Sequence, residues 1–261
     1  MGAQSHIRRA IAAAGEARAH AGLAAETPAG DVLTVVEDRL GLPVLFAPIE
    51  PLAGAHLRRA GGSLIVVSSV DAAVRRRFTI AHELGHDRLH DRPLQLDGAY
   101  QLVDLSDPIE SCANHFAAHF LAPDAALERF LDEQPSREPT LELIARAANR
   151  FAISALAACI RLKVLGALGD HPERIERLER ESRDGTHLRC FERLGLDDLD
   201  DRCARIGSGE LRVPPAAAAS MLTAYAEGAL DGAALTAAIG AEPAALEAAL
   251  GSAATSSRAT A

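Results

Sequence analysis

A short run beginning at His82 has the residue types and the spacing of a metal-dependent hydrolysis site. It reads His82-Glu83-Leu84-Gly85-His86, the pattern H-E-x-x-H. Residues four apart lie on one face of an α-helix, so His82 and His86 can direct two imidazoles at one metal ion. Glu83 can reach a water beside that ion and act as a general base. The pattern therefore predicts a zinc hydrolase site with two histidine ligands and Glu83 as the catalytic residue.

A second polar cluster can supply the third protein ligand that a catalytic zinc usually takes. Glu110 is acidic in an otherwise apolar helical segment, and Asn114 lies one turn later on the same face. We rank Glu110 first as the third ligand. We expect Asn114 to hydrogen-bond a liganding imidazole through the ring nitrogen that does not bind the metal. His115 and His119 are alternative ligands. His90 suits the role less well, because it lies about 12 Å along the helix axis from the first histidine.

The two clusters together resemble the motifs of the ImmA/IrrE family of bacterial zinc metallopeptidases. The first reads RFTIAHELGH (residues 77–86) and the second ESCANHFAAHFLAP (residues 110–123). They have the order and approximate spacing of that family, and the resemblance extends over residues 5–165. It implies that the two histidines of H-E-x-x-H and Glu110 bind zinc and that Glu83 is the base. Zn2+ is therefore the expected metal, with manganese as the alternative.

Hydrolysis also needs a donor for the negative charge that develops on the carbonyl oxygen. Tyr100, His115 and His119 are the candidates for this oxyanion stabiliser. The sequence does not choose among them, and each could equally be a solvent-facing or core residue.

The family resemblance implies a protein partner as well: a transcriptional repressor with a helix-turn-helix domain, cut to derepress stress-response or mobile-element genes. Two other functions stay open. One is a non-cleaving metal-binding regulator that docks to a repressor. The other is a DNA-binding regulator that uses the helix-turn-helix-like pair at residues 140–165, where Arg146, Arg150, Arg161 and Lys163 lie. Direct nucleic-acid binding is not expected, because 27 basic against 36 acidic residues give a net charge of −9.

The elements around these clusters predict an α+β, zincin-like fold. Helices are expected over residues 3–24 and 30–40, and strands over 43–48, 54–60 and 63–69. Two consecutive glycines predict a hairpin turn between the last two strands, so we expect a small three-stranded antiparallel sheet before the metal helix. An extended peptide could add to the sheet edge beside that helix. Residues 91–107 are rich in turn-forming residues and are expected to form a loop.

Composition divides the chain into four parts. These are a zinc metallopeptidase domain (1–168), a charged linker (169–186), a helical C-terminal domain (187–251) and a disordered tail (252–261). No run of about 18 apolar residues exists, so no membrane span is expected. The N-terminus is too charged for a signal peptide, and the four cysteines include no C-x-x-C pair. A cytoplasmic protein with reduced thiols is therefore expected.

Overall fold

The computed structural model describes residues 3–49, 51–59, 62–89, 94–98, 107–199, 203, 212–229, 231 and 233–234. The N-terminal elements are α1 (Ala3–His20), α2 (Val32–Thr34) with a π-helical continuation (Val35–Arg39), β1 (Val44–Ala47), β2 (Leu52–Arg59) and β3 (Gly62–Ser68). The metal-site helices follow as α3 (Ala73–Leu89) and α4 (Pro108–Leu121), with β4 (Leu94–Gly98) between them. The remaining helices are α5 (Asp124–Asp132), α6 (Leu141–Phe151), α7 (Ala155–Val164), α8 (Pro172–Arg183), α9 (Leu188–Leu194) and α10 (Pro215–Ala226).

The predicted α+β fold is confirmed, and each of the three predicted strands is present. The sheet differs from the predicted three-stranded antiparallel arrangement in two respects. Over the described residues it has four strands in the order β1-β3-β2-β4, and β1 pairs with β3 in parallel. The β2–β3 hairpin is antiparallel as predicted, with Arg58 opposite Ser63. The turn between these two strands lies outside the described residues.

The fourth strand, β4, lies within the segment predicted to be a loop. It pairs antiparallel with β2, and the register shifts between Leu52 and Gly54. The strand is short and ends at Gly98 beside acidic and turn-forming residues, so its own sequence is typical of a loop. Its partner strand lies much earlier in the chain, and this non-local pairing is what makes it a strand.

The position of β3 corrects the expectation that this strand offers an edge beside the metal helix. β3 is central, since β1 and β2 pair with its two sides. Among the strands that the structure describes, β1 and β4 are at the edges. On β1, Phe46 exchanges two backbone hydrogen bonds with Arg212, at 3.0 and 2.9 Å, and the Arg212 guanidinium binds Glu37. A segment far along the chain therefore covers part of the β1 edge.

Helix α3 lies against the sheet on one side and against α4 on the other, and α4 also packs on α1. Phe116 and Phe120 stack within this core with ring centroids 5.9 Å apart. The buried guanidinium of Arg18 ties α1 to α4, because it donates to the Phe120 carbonyl at 2.6 Å and to two carbonyls of the loop after α1. Burial lowers the pKa of Arg18 to about 10, so this guanidinium stays charged at neutral pH.

Helices α6 and α7 form the predicted helix-turn-helix-like pair. Thr140 and Ser154 cap the two helices, as their side chains accept backbone N–H groups at 3.2 and 3.1 Å. The helices are bent by 105° at a short break where Ala152 is left-handed. Only together would they have the length and apolar composition of a membrane span, and no single helix of the described residues has both.

The segment predicted to be a linker contains α8, which packs on α7 and buries Leu178. The division of the chain into two domains at this segment stays a prediction. The predicted C-terminal helical domain is described in part, by α9 and α10, and the predicted disordered tail lies outside the described residues.

Candidate metal centre

Helix α3 carries two sets of polar residues on adjacent faces. His82 and His86, one turn apart, face α4. Thr79, Glu83 and Asp87, also one turn apart, face β2. All but Asp87 are 0–1% exposed, although they are polar or charged. The helix therefore presents two imidazoles to α4 and two carboxylates to β2.

Close packing between α3 and α4 occurs at Gly85. A methyl group at this position would lie 3.2 Å from the Ala113 Cα and 3.2 Å from Phe116 Cβ and Cδ1. These distances leave no room for a larger residue unless the helices move apart. Asp107 starts α4, since its side chain accepts the Ile109 N–H at 2.8 Å. The Asp107 cap and the contact at Gly85 together place the first turn of α4 opposite the two histidines of α3.

The third predicted ligand, Glu110, lies in that first turn and is 4% exposed. His82 Nε2 is 3.2 Å from Glu110 Oε2 and 3.0 Å from His86 Nε2. His86 Nε2 is 3.6 Å from Glu110 Oε1. One ligand atom from each of the three residues lies within 4.8 Å of the other two. The structure therefore brings together the three residues that the sequence predicted as metal ligands.

Asn114 fixes the tautomer of His82. Its Oδ1 lies 3.0 Å from His82 Nδ1 and accepts that N–H, so the lone pair of the ring is on Nε2. This lone pair faces the Glu110 carboxylate, an arrangement that a cation between the two stabilises. Ligand atoms around a tetrahedral zinc lie about 3.3 Å apart, as follows from zinc–nitrogen bonds of about 2.0–2.1 Å. The 3.0–3.6 Å separations observed here match that value. The three residues thus fit a divalent metal ion.

The predicted base, Glu83, lies between α3 and β2 and is completely buried. Its carboxylate contacts the backbone of β2 at Gly54, where an added methyl group would overlap Glu83 Oε1. Sequence reasoning missed Gly54. The available signal was the glycine that begins the predicted strand 54–60, because a glycine in a strand often marks the close approach of another group.

Sequence reasoning also missed a hydrogen-bonded group one turn beyond Glu83. Asp87 Oδ1 accepts from His56 Nε2 at 3.1 Å and from Arg58 Nη2 at 2.9 Å. Burial alone would raise the pKa of the Asp87 carboxyl, but hydrogen bonds from His56, Arg58 and Ser63 and the charge of Arg88 together lower that pKa well below its usual range. Asp87 is therefore a charged anchor between α3 and β2.

Among the described residues, the candidate oxyanion stabilisers His115 and His119 are not part of the cluster formed by His82, His86 and Glu110. His119 donates Nδ1–H to the His115 carbonyl at 2.8 Å, and its Nε2 lies 3.8 Å from Asp124 beside the buried Arg161. These contacts favour a structural role for His119. Tyr100, like His90, lies outside the described residues. The assignment of an oxyanion stabiliser stays a prediction.

The fold and the buried His-Glu-His-Glu arrangement together define a metallopeptidase-type domain. Residues 37–163 match the model of the family described as the IrrE N-terminal-like domain. This domain of the chain belongs to the ImmA/IrrE family of metallopeptidases.

Two known proteins show the extent of the similarity. The radiation response metalloprotease IrrE of Deinococcus radiodurans is 30% identical over 141 residues, which are 53% of this chain and 42% of that protein. The chain thus spans less than half the length of this relative. A Mycobacterium tuberculosis transcriptional regulator of known structure is 18% identical and has a TM-score of 0.41, over 64% of this chain and 48% of that one.

Replacing Asn114 by Ala should weaken metal binding. Without the amide oxygen, the proton of His82 is no longer held on Nδ1, and both the tautomer and the orientation of the ligand become less defined. Loss of such a partner typically lowers metal affinity about 10- to 100-fold. Competition with a chromophoric zinc chelator would measure this change. The matched control is Asn149→Ala in α6, which should leave the affinity unchanged; equal affinities for Asn114→Ala and wild type would contradict the role given to Asn114.

The His115–His119 group should make stability depend on pH. Burial, followed by the Arg161 charge, lowers the pKa of His119, and the same two causes lower that of His115. An unfolded histidine has a pKa of about 6.5, so below that pH the unfolded chain binds more protons than the folded one. Stability should therefore fall as the pH falls below about 6.5, with a slope of up to about 1.4 kcal/mol per pH unit for each histidine.

The His119→Asn variant isolates one of these two groups, because asparagine does not titrate and its amide can still donate to the His115 carbonyl. Urea unfolding of chelator-treated protein between pH 5 and 8 should show a shallower pH dependence for this variant than for wild type. His6→Asn, at an exposed position of α1, should retain the wild-type slope. An unchanged slope in His119→Asn would show that this histidine is not the source.

Proposed function

We propose that this chain is a zinc-dependent endopeptidase. The observation that carries the proposal is the convergence of His82, His86 and Glu110, whose ligand atoms lie within 4.8 Å of one another. The buried Glu83 follows the first of these ligands on the same helix. Three protein ligands of these types leave one position for water or substrate, which is typical of catalytic zinc sites. When bound, zinc would supply Lewis acidity that polarises the scissile carbonyl and makes water more acidic.

Glu83 is the residue that would move protons in this reaction. It follows His82 directly on α3, so the attacking water would lie within reach of its carboxylate. In the first step Glu83 accepts a proton from that water, and in the second it gives the proton to the leaving amine. Asn114 contributes indirectly, since it keeps the lone pair of His82 on the nitrogen that faces the site.

The β4 strand supports a way of binding an extended peptide. β4 pairs with β2, and β2 carries Gly54 against Glu83. Among the described residues, no strand pairs with the other edge of β4. A peptide that adds to this edge as a further strand would gain backbone hydrogen bonds on the side of the sheet that holds the base. This edge replaces the β3 edge that the sequence suggested.

We propose a transcriptional repressor with a helix-turn-helix domain as the substrate, cut to derepress stress-response or mobile-element genes. The proposal rests on membership of the domain in the ImmA/IrrE family and on the similarity to a radiation response metalloprotease. A non-cleaving regulator that docks to a repressor would use the same metal site, and the base variant below separates it from a peptidase.

The contacts of the α6–α7 pair speak against a DNA-binding function. Arg161 is buried and donates to the Ala122 carbonyl at 2.9 Å. Arg150 and Lys163 form ion pairs with glutamates at 3.6 and 2.7 Å. The exposed face of α7 includes the apolar Ile160. These features favour a scaffold role for the pair, since DNA-binding helices offer basic side chains to phosphates.

Replacing Glu83 by Gln should abolish hydrolysis and leave metal binding intact. Glutamine keeps the shape of the side chain but cannot accept the proton, and loss of general base catalysis costs about 100- to 10,000-fold in rate. The measurement is mass spectrometry of new N-termini, after zinc-loaded protein has acted on a peptide library prepared from a bacterial proteome. Metal content is measured on the same samples.

Glu128→Gln, an exposed position of α5, is the control and should cleave as wild type does. Wild-type rates in Glu83→Gln would contradict the role of Glu83. A wild-type protein that binds zinc but generates no new N-termini, from the library or from folded helix-turn-helix repressors, would favour the non-cleaving regulator. Equal cleavage of folded repressors and unrelated folded proteins would contradict the proposed substrate class.

A further inference from the structure

Strand β2 faces α3 with alternate residues, because successive side chains of a strand point to opposite sides of the sheet. Gly54, His56 and Arg58 therefore share one face. Gly54 contacts Glu83, while His56 and Arg58 bind Asp87, one helical turn further along α3. Strand β2 and helix α3 thus meet at two successive turns of the helix, first at Glu83 and then at Asp87.

The contact at Gly54 leaves no space for a side chain. A methyl group there would lie 2.5 Å from Thr79 Cγ2, 3.2 Å from Glu83 Cδ and closer still to Glu83 Oε1. Thr79 and Glu83 are both completely buried, so neither can move out into solvent. The backbone of Gly54 consequently restricts, by direct steric contact, where the Glu83 carboxylate can lie.

The hydrogen bonds from β2 to Asp87 hold the backbone of Gly54 in place against α3. His56 is 1% exposed and donates to Asp87, whose carboxylate also accepts from Arg58. A slip of β2 along α3 would break these charge-assisted hydrogen bonds in a buried environment, which is costly. Asp87 therefore fixes the register of β2 on α3, and with it the position of Gly54 opposite Glu83.

We propose that Gly54 is a positioning residue for the base: β2, held on α3 through His56 and Asp87, uses the absence of a side chain at Gly54 to set the position of the Glu83 carboxylate. The inference rests on the proposed function, in which Glu83 is the proton acceptor. It adds a residue outside the ligand set that determines where the base lies.

The contact is tested first without catalysis. The four proteins are wild type, Gly54→Ala, Glu83→Ala and the double variant, each unfolded in urea with a metal chelator present. Gly54→Ala should lower the urea midpoint in the wild-type background. Its effect should be smaller when Glu83 is already alanine, because the carboxylate that the methyl group would overlap is gone; residues in contact are non-additive in this way. Equal midpoint shifts in both backgrounds would overturn the contact.

The positioning role is tested next by kinetics on zinc-loaded protein. Gly54→Ala should lower kcat on the order of 100-fold, as expected for a catalytic group displaced by about 1 Å, with KM and metal content unchanged. Thr79→Ser removes one of the two obstructing groups, so adding it to Gly54→Ala should restore part of kcat. Gly15→Ala, at an exposed glycine with no group within 4 Å of the added methyl, is the matched control and should retain wild-type kcat.

Each failure has a separate signature. Wild-type kcat in Gly54→Ala, or a raised KM with kcat retained, would overturn the positioning role. Loss of metal together with kcat would show that Gly54 supports the fold of the site and not the base. A wild-type protein that cleaves nothing would overturn the proposed function. In that case the urea unfolding measurements alone would decide whether Gly54 positions the Glu83 carboxylate.

Discussion

The site depends on the close contact between α3 and α4. Gly85 lets the backbone of α3 approach Ala113 and Phe116 on α4 at 3.2 Å from where a Cβ would lie. Without this approach, His82 and His86 would form a two-ligand pair on one helix, and Glu110 would lie too far away to complete it. Helices usually pack with axes about 8–10 Å apart, and a small residue at the crossing gives the shorter end of that range. The metal site is therefore a consequence of how two helices pack, as well as of the motif on one of them.

The adjacent face of α3, which meets β2, is under a different constraint. There the sheet supplies backbone at Gly54 and hydrogen-bond donors at His56, so the base is held by β2 while the ligands are held by α4. One helix thus joins two separately supported parts of the site. A change in the packing of α4 should act on metal affinity, and a change in β2 should act on the rate of the chemical step.

The sequence predicted the parts of the site that are local. The H-E-x-x-H spacing and the helical periodicity place His82, Glu83 and His86 without knowledge of the rest of the fold, and a lone acid in an apolar helix pointed to Glu110. Strand order could not be predicted in this way. β3 separates β1 from β2 in the sheet although β1 and β2 are consecutive strands in the chain, and β4 becomes a strand only through its distant partner. Gly54 was missed for the same reason, since its contact with Glu83 is made across the fold.

Metal content tests the central claim most directly. Chelated protein would be reloaded with zinc, desalted and analysed by inductively coupled plasma mass spectrometry, for wild type, for Glu110→Ala and for the exposed control Glu128→Ala. A three-ligand site predicts about one zinc per chain in wild type and in the control, with a sharp reduction in Glu110→Ala. Wild-type metal content in a correctly folded Glu110→Ala protein would contradict the ligand set and move the third ligand elsewhere. A wild-type chain that retains no metal would contradict the metallopeptidase site itself.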